Sequence, residues 1–202
     1  MRLVLASASP ARLATLRRAG IEPEVVVSGV DESYVEGSAS AVEAALELAR
    51  RKAGAVADRL GPPAAVVIGC DSVLELDGQV HGKPADADEA VARWRRMRGR
   101  FGVLHTGHWV LDTDTGLSVS ATASTTVWFA EVDDDEITAY VATGEPLQVA
   151  GAFTVDGLGG AFVTGIEGDH HNVVGISLPL LRRLLADLGV RWIDLWAAGA
   201  AQ

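Results

Sequence analysis

The run Ala64-Ala65-Val66-Val67-Ile68-Gly69 constrains this chain more than any other stretch. It is apolar without interruption and is closed upstream by the breakers Gly61-Pro62-Pro63. A short continuous apolar run between breakers reads as a strand buried on both faces. Such a strand belongs inside a sheet covered by helices, and the neighbouring segments supply both kinds of element.

Leu3 to Ala6 reads as a strand, Leu13 to Ala19 as a helix closed by Gly20, and Glu24 to Ser28 as a second strand. A polar loop, Gly29 to Gly37, leads to Ser40 and Glu43, whose capping-box spacing starts a helix running to about Leu60. Beyond the central run, Asp77-Gly78 marks a hairpin turn, and Pro84 keeps Lys83 out of a helix. Asp88 to Arg98 has Val91, Trp94 and Met97 at core spacing. Val103 to Leu111 and Leu117 to Trp128 read as long strands joined by a turn at 112–116. The acids Asp133 to Glu136 suit a helix N-terminus, with that helix ending near Gly144. Ala150 to Gly165 reads as a glycine-rich strand region, and Pro179 to Leu188 as an amphipathic helix. Without a repeat or a long linker, the pattern predicts one mixed α/β domain over residues 1–202 with a largely continuous sheet. Trp192, Ile193, Leu195 and Trp196 form an apolar tail that packs on the core or on a partner.

The chain has 202 residues, 49% of them hydrophobic, enough for a sizeable core. Its net charge of -10 offers no global field for nucleic acid or for an anionic membrane. The run after Met1-Arg2 is too short for a signal peptide and is broken by Pro10 and Arg12. With a single cysteine, Cys70, a reducing, cytoplasmic setting is expected.

Against an acidic whole, a few basic residues stand out. In Ser7-Ala8-Ser9-Pro10-Ala11-Arg12, Pro10 suits the first helical turn, but Arg12 sits at the positive end of the helix dipole. An anion between them removes the conflict: hydroxyls, backbone N–H groups and a guanidinium then converge on a phosphate. The alternative is a Ser cap beside a solvated Arg. Lys52 projects onto the apolar side of its helix, in line with Ala45, Leu48 and Ala49, and away from Glu43, Glu47 and Arg50. It either snorkels to the rim or reaches across the face into a cleft to meet an anion. Asp71 ends the central apolar run, where a strand hands its last residue to a sheet edge. A carboxylate there either caps the following turn, with Ser72 beside it, or suits a general base or a metal ligand. Lys83 lies on an extended loop, where it is either a solvated lysine or joins Arg12 and Lys52 to neutralise a polyphosphate. Glu32 could give a hard oxygen to Mg²⁺. The pairs His105/His108 and His170-His171 lack zinc-site spacing.

Nine segments in order resemble the Maf family of nucleoside triphosphate pyrophosphatases: Ser7 to Arg12, Val30 to Glu32, Lys52-Ala53, Gly69 to Ser72, Gly82 to Pro84, Thr106-Gly107, Thr143 to Pro146, Ala150 to Phe153 and Asn172 to Leu181. The match runs from about residue 2 to 186, leaving 187–202 as a tail. The resemblance implies a Maf/inosine-triphosphatase-like α/β fold, an elongated mixed sheet flanked by helices with two lobes around a central cleft. It also implies a homodimer and Mg²⁺- or Mn²⁺-dependent cleavage of a nucleoside triphosphate to monophosphate and diphosphate. Asp71 takes the family's proton-acceptor position, and Ser7, Arg12, Lys52 and Lys83 its phosphate-binding positions. Glu32, with Asp71, takes the metal position.

Three positions depart from the family's usual pattern. Ala11 stands where a first arginine is common, leaving Arg12 alone; Ser72 stands where Thr is frequent; and Asp156 aligns with the Gln that reads the base. A carboxylate accepts hydrogen bonds where Gln also donates, so Asp156 is expected to favour a base with an exocyclic amino group over uracil or thymine. A rival reading, a nucleotide-binding regulator of cell division with little catalysis, accounts for the phosphate-binding residues but gives Asp71 no task.

Overall fold

The computed structural model describes residues 1–32 and 40–196. In chain order they form β1 (Arg2–Leu5), α1 (Pro10–Arg18), β2 (Glu24–Val25), α2 (Ala41–Ala57), β3 (Ala65–Leu76), β4 (Gln79–His81), α3 (Ala87–Met97), β5 (Phe101–Asp112), β6 (Ser118–Phe129), α4 (Asp134–Ala142), β7 (Val163–Glu167), α5 (His170–Val174) and α6 (Leu178–Asp187). The strands build one seven-stranded mixed sheet in the order β2-β1-β3-β5-β6-β7, with β4 also paired to β3. The α/β sheet flanked by helices agrees with the sequence expectation.

The strand carrying the apolar run is twice as long as that run. β3 continues through Asp71 to Leu76, so Asp71 lies within the strand rather than at its end. What ends there is the neighbour. Parallel β1 covers β3 only as far as Ile68, and antiparallel β4 begins again at Leu74. β5 pairs along the opposite edge from Val66 to Glu75. Among the described residues the β3 edge from Gly69 to Val73 is therefore bare of strand, and Asp71 sits at its centre.

Strand alternation carries the interruption through both faces. On one face Val66, Ile68 and Cys70 join a cluster with Leu16, Ile176 and Leu181, whereas Leu74 and Leu76 join a second around Trp94, Phe129 and Ile137. Ser72 lies between them. On the other face Ala65 and Val67 pack with Ala53 and Val56 of α2, and Val73 packs with Ala44, Ala45 and Leu48. Asp71 lies between those. The apolar clusters on both faces of β3 thus part at the Asp71–Ser72 step.

α2 begins where the caps predict, with Ser40 Oγ accepting from the Glu43 amide at 3.2 Å. It then presses onto Gly69 and Gly107, where a Cβ would overlap the helix backbone at Ala49 and Ala45. This close approach lowers Lys52, one turn beyond Ala49, onto Asp71. α4 carries a full capping box between Asp133 and Glu136, and Asp77-Gly78 turn the β3–β4 hairpin with φ of 55° and 71°.

Two expected strands differ. β2 stops at Val25 instead of Ser28, because Val26 finds its last partner at Leu5 O, where β1 turns away. The region from Ala150 folds mainly as 3₁₀ turns, 150–152 and 158–162, and becomes strand only at Val163. In the tail, Trp192 and Leu195 pack on the core, while Ile193 and Trp196 remain about half exposed. Residues 33–37 of the predicted polar loop lie outside the described residues. No helix among the described residues is long and apolar enough to cross a membrane.

Candidate active site

A cleft of about 830 Å³ opens over the bare edge of β3, lined by Ser7, Arg12, Glu32, Lys52, Asp71, Lys83 and Asp156 among others. It gathers every residue singled out from the sequence for phosphate, metal or proton chemistry.

Lys52 does not snorkel. Both it and Asp71 are buried, and its Nζ donates to Asp71 Oδ1 and, at 2.5 Å, to Glu32 Oε1. Lys83, half exposed, stands 3.5 Å from Glu32 Oε2. Burial pushes the Asp71 carboxyl above the usual carboxylate range, and the Lys52 and Arg12 charges offset only part of that. For Glu32 burial acts the same way but loses: Lys52, Lys83 and Arg12 hold its carboxyl low. Two carboxylates in one cleft are thus driven apart in proton affinity, the buried one being the better base.

Arg12 is buried at the foot of the cleft. Its Nε donates to Gly175 O at 2.7 Å, Nη1 to Cys70 O at 2.8 Å and Ser7 Oγ at 3.2 Å, and Nη2 to Ser72 Oγ at 3.0 Å. Four of the five guanidinium N–H groups are thereby engaged within the chain. The Cys70 carbonyl lies on the edge that β1 leaves uncovered, so Arg12 stands in for a missing strand partner. Ser7 Oγ accepts from Arg12 and from the Ser9 amide, which leaves its proton to donate into the cleft. Ser9 Oγ accepts from the Arg12 amide as a helix cap does, but Arg12 is buried rather than solvated, and Ser7 and Arg12 line the cleft.

Residues 2–188 match the family described as Maf-like protein. The chain belongs to the Maf family. Relatives named nucleoside triphosphate pyrophosphatase include the Streptomyces coelicolor protein, 65% identical over 196 residues that cover 97% of this chain and 95% of the relative. The Salinispora tropica protein is 64% identical over 204 residues, 100% of this chain and 90% of its own. The more distant Nostoc punctiforme protein is 51% identical, with 96% of each chain covered.

In this Maf chain Ser72 is committed to a relay. Thr106 Oγ1 donates to Asn172 O at 3.2 Å, so Ser72 Oγ donates to Thr106 at 2.8 Å and accepts from Arg12. The relay fills the polar gap between the apolar clusters on that face of β3 and ties α5 to the sheet. Asp156 is exposed and lines the same cleft, whose apolar lining includes Leu104, Phe153 and Val173.

Glu32 and Asp71 meet on the same ammonium, so their hard oxygens converge, but no group of three or more His, Cys, Asp or Glu able to hold a metal occurs among the described residues. A pair of carboxylates completed by substrate phosphates is a donor set that Mg²⁺ or Mn²⁺ accepts. The residues fit the cation.

Sequence reasoning missed the residues that hold the cleft loops. Arg93, buried in α3, donates to Gly82 O at 2.6 Å, and the adjacent Trp94 Nε1 donates to Ala152 O at 2.7 Å. One helix thereby fixes both the Lys83 loop and the segment at Ala152 that leads to Asp156. Trp94 was legible only as core, since helical spacing reports burial and not the partner of an indole N–H. His108, a β5 residue with no role at the site, donates from Nδ1 to Thr106 O and accepts at Nε2 from the Ser177 amide, each at 2.9 Å.

Proposed function

We propose that this Maf protein is a nucleoside triphosphate pyrophosphatase, cleaving the α–β anhydride to release a monophosphate and diphosphate with Asp71 as the general base. The carrying observation is a buried carboxylate of raised proton affinity, held by Lys52 on an open strand edge in a cleft that Ser7, Arg12 and Lys83 also line. The names of the relatives support the reaction class.

Asp71 Oδ2, the oxygen not bonded to Lys52, takes the proton from a water that attacks the α-phosphorus. Lys52 orients Asp71 and, with Lys83 and Arg12, offsets charge that develops on the departing diphosphate. Ser7 donates its hydroxyl to a phosphate oxygen. Glu32 and Asp71 would hold Mg²⁺ or Mn²⁺, which when bound adds positive charge against the triphosphate. Asp156, accepting from an exocyclic amino group, would prefer CTP or GTP to UTP or dTTP. The same proposal extends to a homodimer in the cytoplasm; the buried free Cys70 agrees with a reducing compartment.

Incubation of the wild type and Asp71→Asn with CTP, GTP, UTP and dTTP, plus Mg²⁺ or Mn²⁺, tests it by chromatography of the products. Monophosphate and diphosphate from the wild type, with turnover by Asp71→Asn lower by at least about 100-fold, are expected. Orthophosphate as the product, or near-normal turnover by Asp71→Asn, overturns the assignment.

A further inference from the structure

We infer that Glu145 is a positioning residue for nucleobase selection, acting through the loop 154–159 that carries Asp156; this rests on the pyrophosphatase reading above. Glu145 opens the 3₁₀ turn after Gly144 and is not among the residues that line the cleft. Its carboxylate accepts four hydrogen bonds from within the chain: Tyr140 Oη at 2.8 Å, Thr154 Oγ1 at 2.5 Å, and the amides of Leu158 and Gly159 at 3.0 Å each. Thr154 starts the loop, and Leu158 and Gly159 end it. Asp156 stands midway, so one carboxylate grips the segment on both sides of the residue that faces the cleft.

Little else holds that segment. Asp156, Gly157 and Leu158 are all exposed, Leu158 by 61%, so apolar burial does not fix their path. The residues before the loop are anchored independently, since Phe153 is buried and Ala152 O is bound by Trp94. Position therefore passes to Asp156 through the Glu145 bonds, which are charge-assisted and about twice as strong as neutral ones. Tyr140 completes the clasp: the Thr154 amide donates to its Oη at 3.3 Å while the same hydroxyl donates to Glu145. A Cβ at Gly159 would overlap the Tyr140 hydroxyl, so the wrap closes only over glycine.

Glu145→Gln keeps the side-chain shape but replaces one acceptor oxygen with a donor NH₂, which cannot accept from the loop. The measurement is kcat/KM for CTP, for UTP and for ribose 5-triphosphate, which has no base. Glu145→Gln is expected to reduce CTP-over-UTP discrimination by about ten-fold or more while base-free turnover stays within about two-fold. Amide hydrogen exchange at Leu158 and Gly159 should rise in the same variant. Thr154→Val, which removes one bond to Glu145, should act in the same direction and serves if Glu145→Gln does not fold. Unchanged discrimination in a folded variant overturns the inference and leaves the pyrophosphatase reading standing, as does a wild type that cleaves CTP and UTP equally. A wild type that cleaves no triphosphate removes the reading itself, and the inference with it.

Discussion

Lys52 and Asp71 form a buried ion pair that joins a helix to the β3 edge from Gly69 to Val73, which has no strand partner there among the described residues, and Glu32 shares the same ammonium. The pair is both scaffold and machinery. Removing only Lys52 leaves Asp71 buried without its nearest cation, which costs about 3 kcal/mol when a buried pair is broken from one side. Lys52→Met should therefore lower stability by roughly that amount, and Lys52→Met/Asp71→Asn should recover about 1–2 kcal/mol of it. Urea unfolding of the single and double variants checks this; strictly additive losses would show that the two side chains are not coupled.

Arg12 makes a separate prediction because its fork reaches four acceptors at once. A lysine carries charge but only three N–H groups and no planar fork. Arg12→Lys should leave Gly175 O or Cys70 O unpaired, destabilise by about 2 kcal/mol, and lower kcat/KM by more than ten-fold. Denaturation and triphosphate turnover, measured on the same preparations, test whether one substitution moves both.

The fold was largely readable because its signals are local. The apolar run of β3, the caps of α2 and α4, and the Asp77-Gly78 turn each report the chain within a few residues. Lys52 was legible from helical projection as a cation on the wrong face, though only the close approach of α2 over Gly69 and Gly107 shows what it meets. Asp71 was found for a reason that was partly mistaken: its strand does not end there, and the opening comes from β1 stopping at Leu5. Strand pairing is a non-local property, and an apolar run cannot say how far its neighbour extends. Arg93 was illegible because its partner at the cleft is a backbone carbonyl. Glu145, though within the Thr143 to Pro146 segment, gave no sign of its grip on the amides of Leu158 and Gly159, since bonds to backbone groups leave no pattern in the sequence.

Arg93 separates loop positioning from chemistry. Its Nη1 bonds to Gly82 O, an oxygen that also accepts from the Gly151 amide, so it steadies Lys83 without touching the cleft. Arg93→Met should raise KM for the triphosphate several-fold, about 1 kcal/mol of binding, with kcat changed less. Steady-state kinetics decide it: an equal fall in kcat at constant KM would place Arg93 in the chemical step instead.

His108 predicts how stability responds to acid. Its Nδ1–H donates to a carbonyl and its Nε2 accepts from the Ser177 amide, so only the neutral ring fits; a second ring proton would face an N–H. Burial accordingly pulls its pKa down from 6.5 to about 4. In the unfolded chain the ring protonates near its ordinary value, so protons favour unfolding. The contribution is complete above about pH 6.5, declines as pH falls, and levels off near pH 4, a total loss of about 3 kcal/mol. Other groups titrate in the same range, but they are common to wild type and His108→Gln and cancel in the difference. The stability gap between the two proteins should narrow by about 3 kcal/mol from pH 7 to pH 4 in urea-unfolding series. Parallel curves would mean that His108 is protonated in the folded state, against the donor that Ser177 presents.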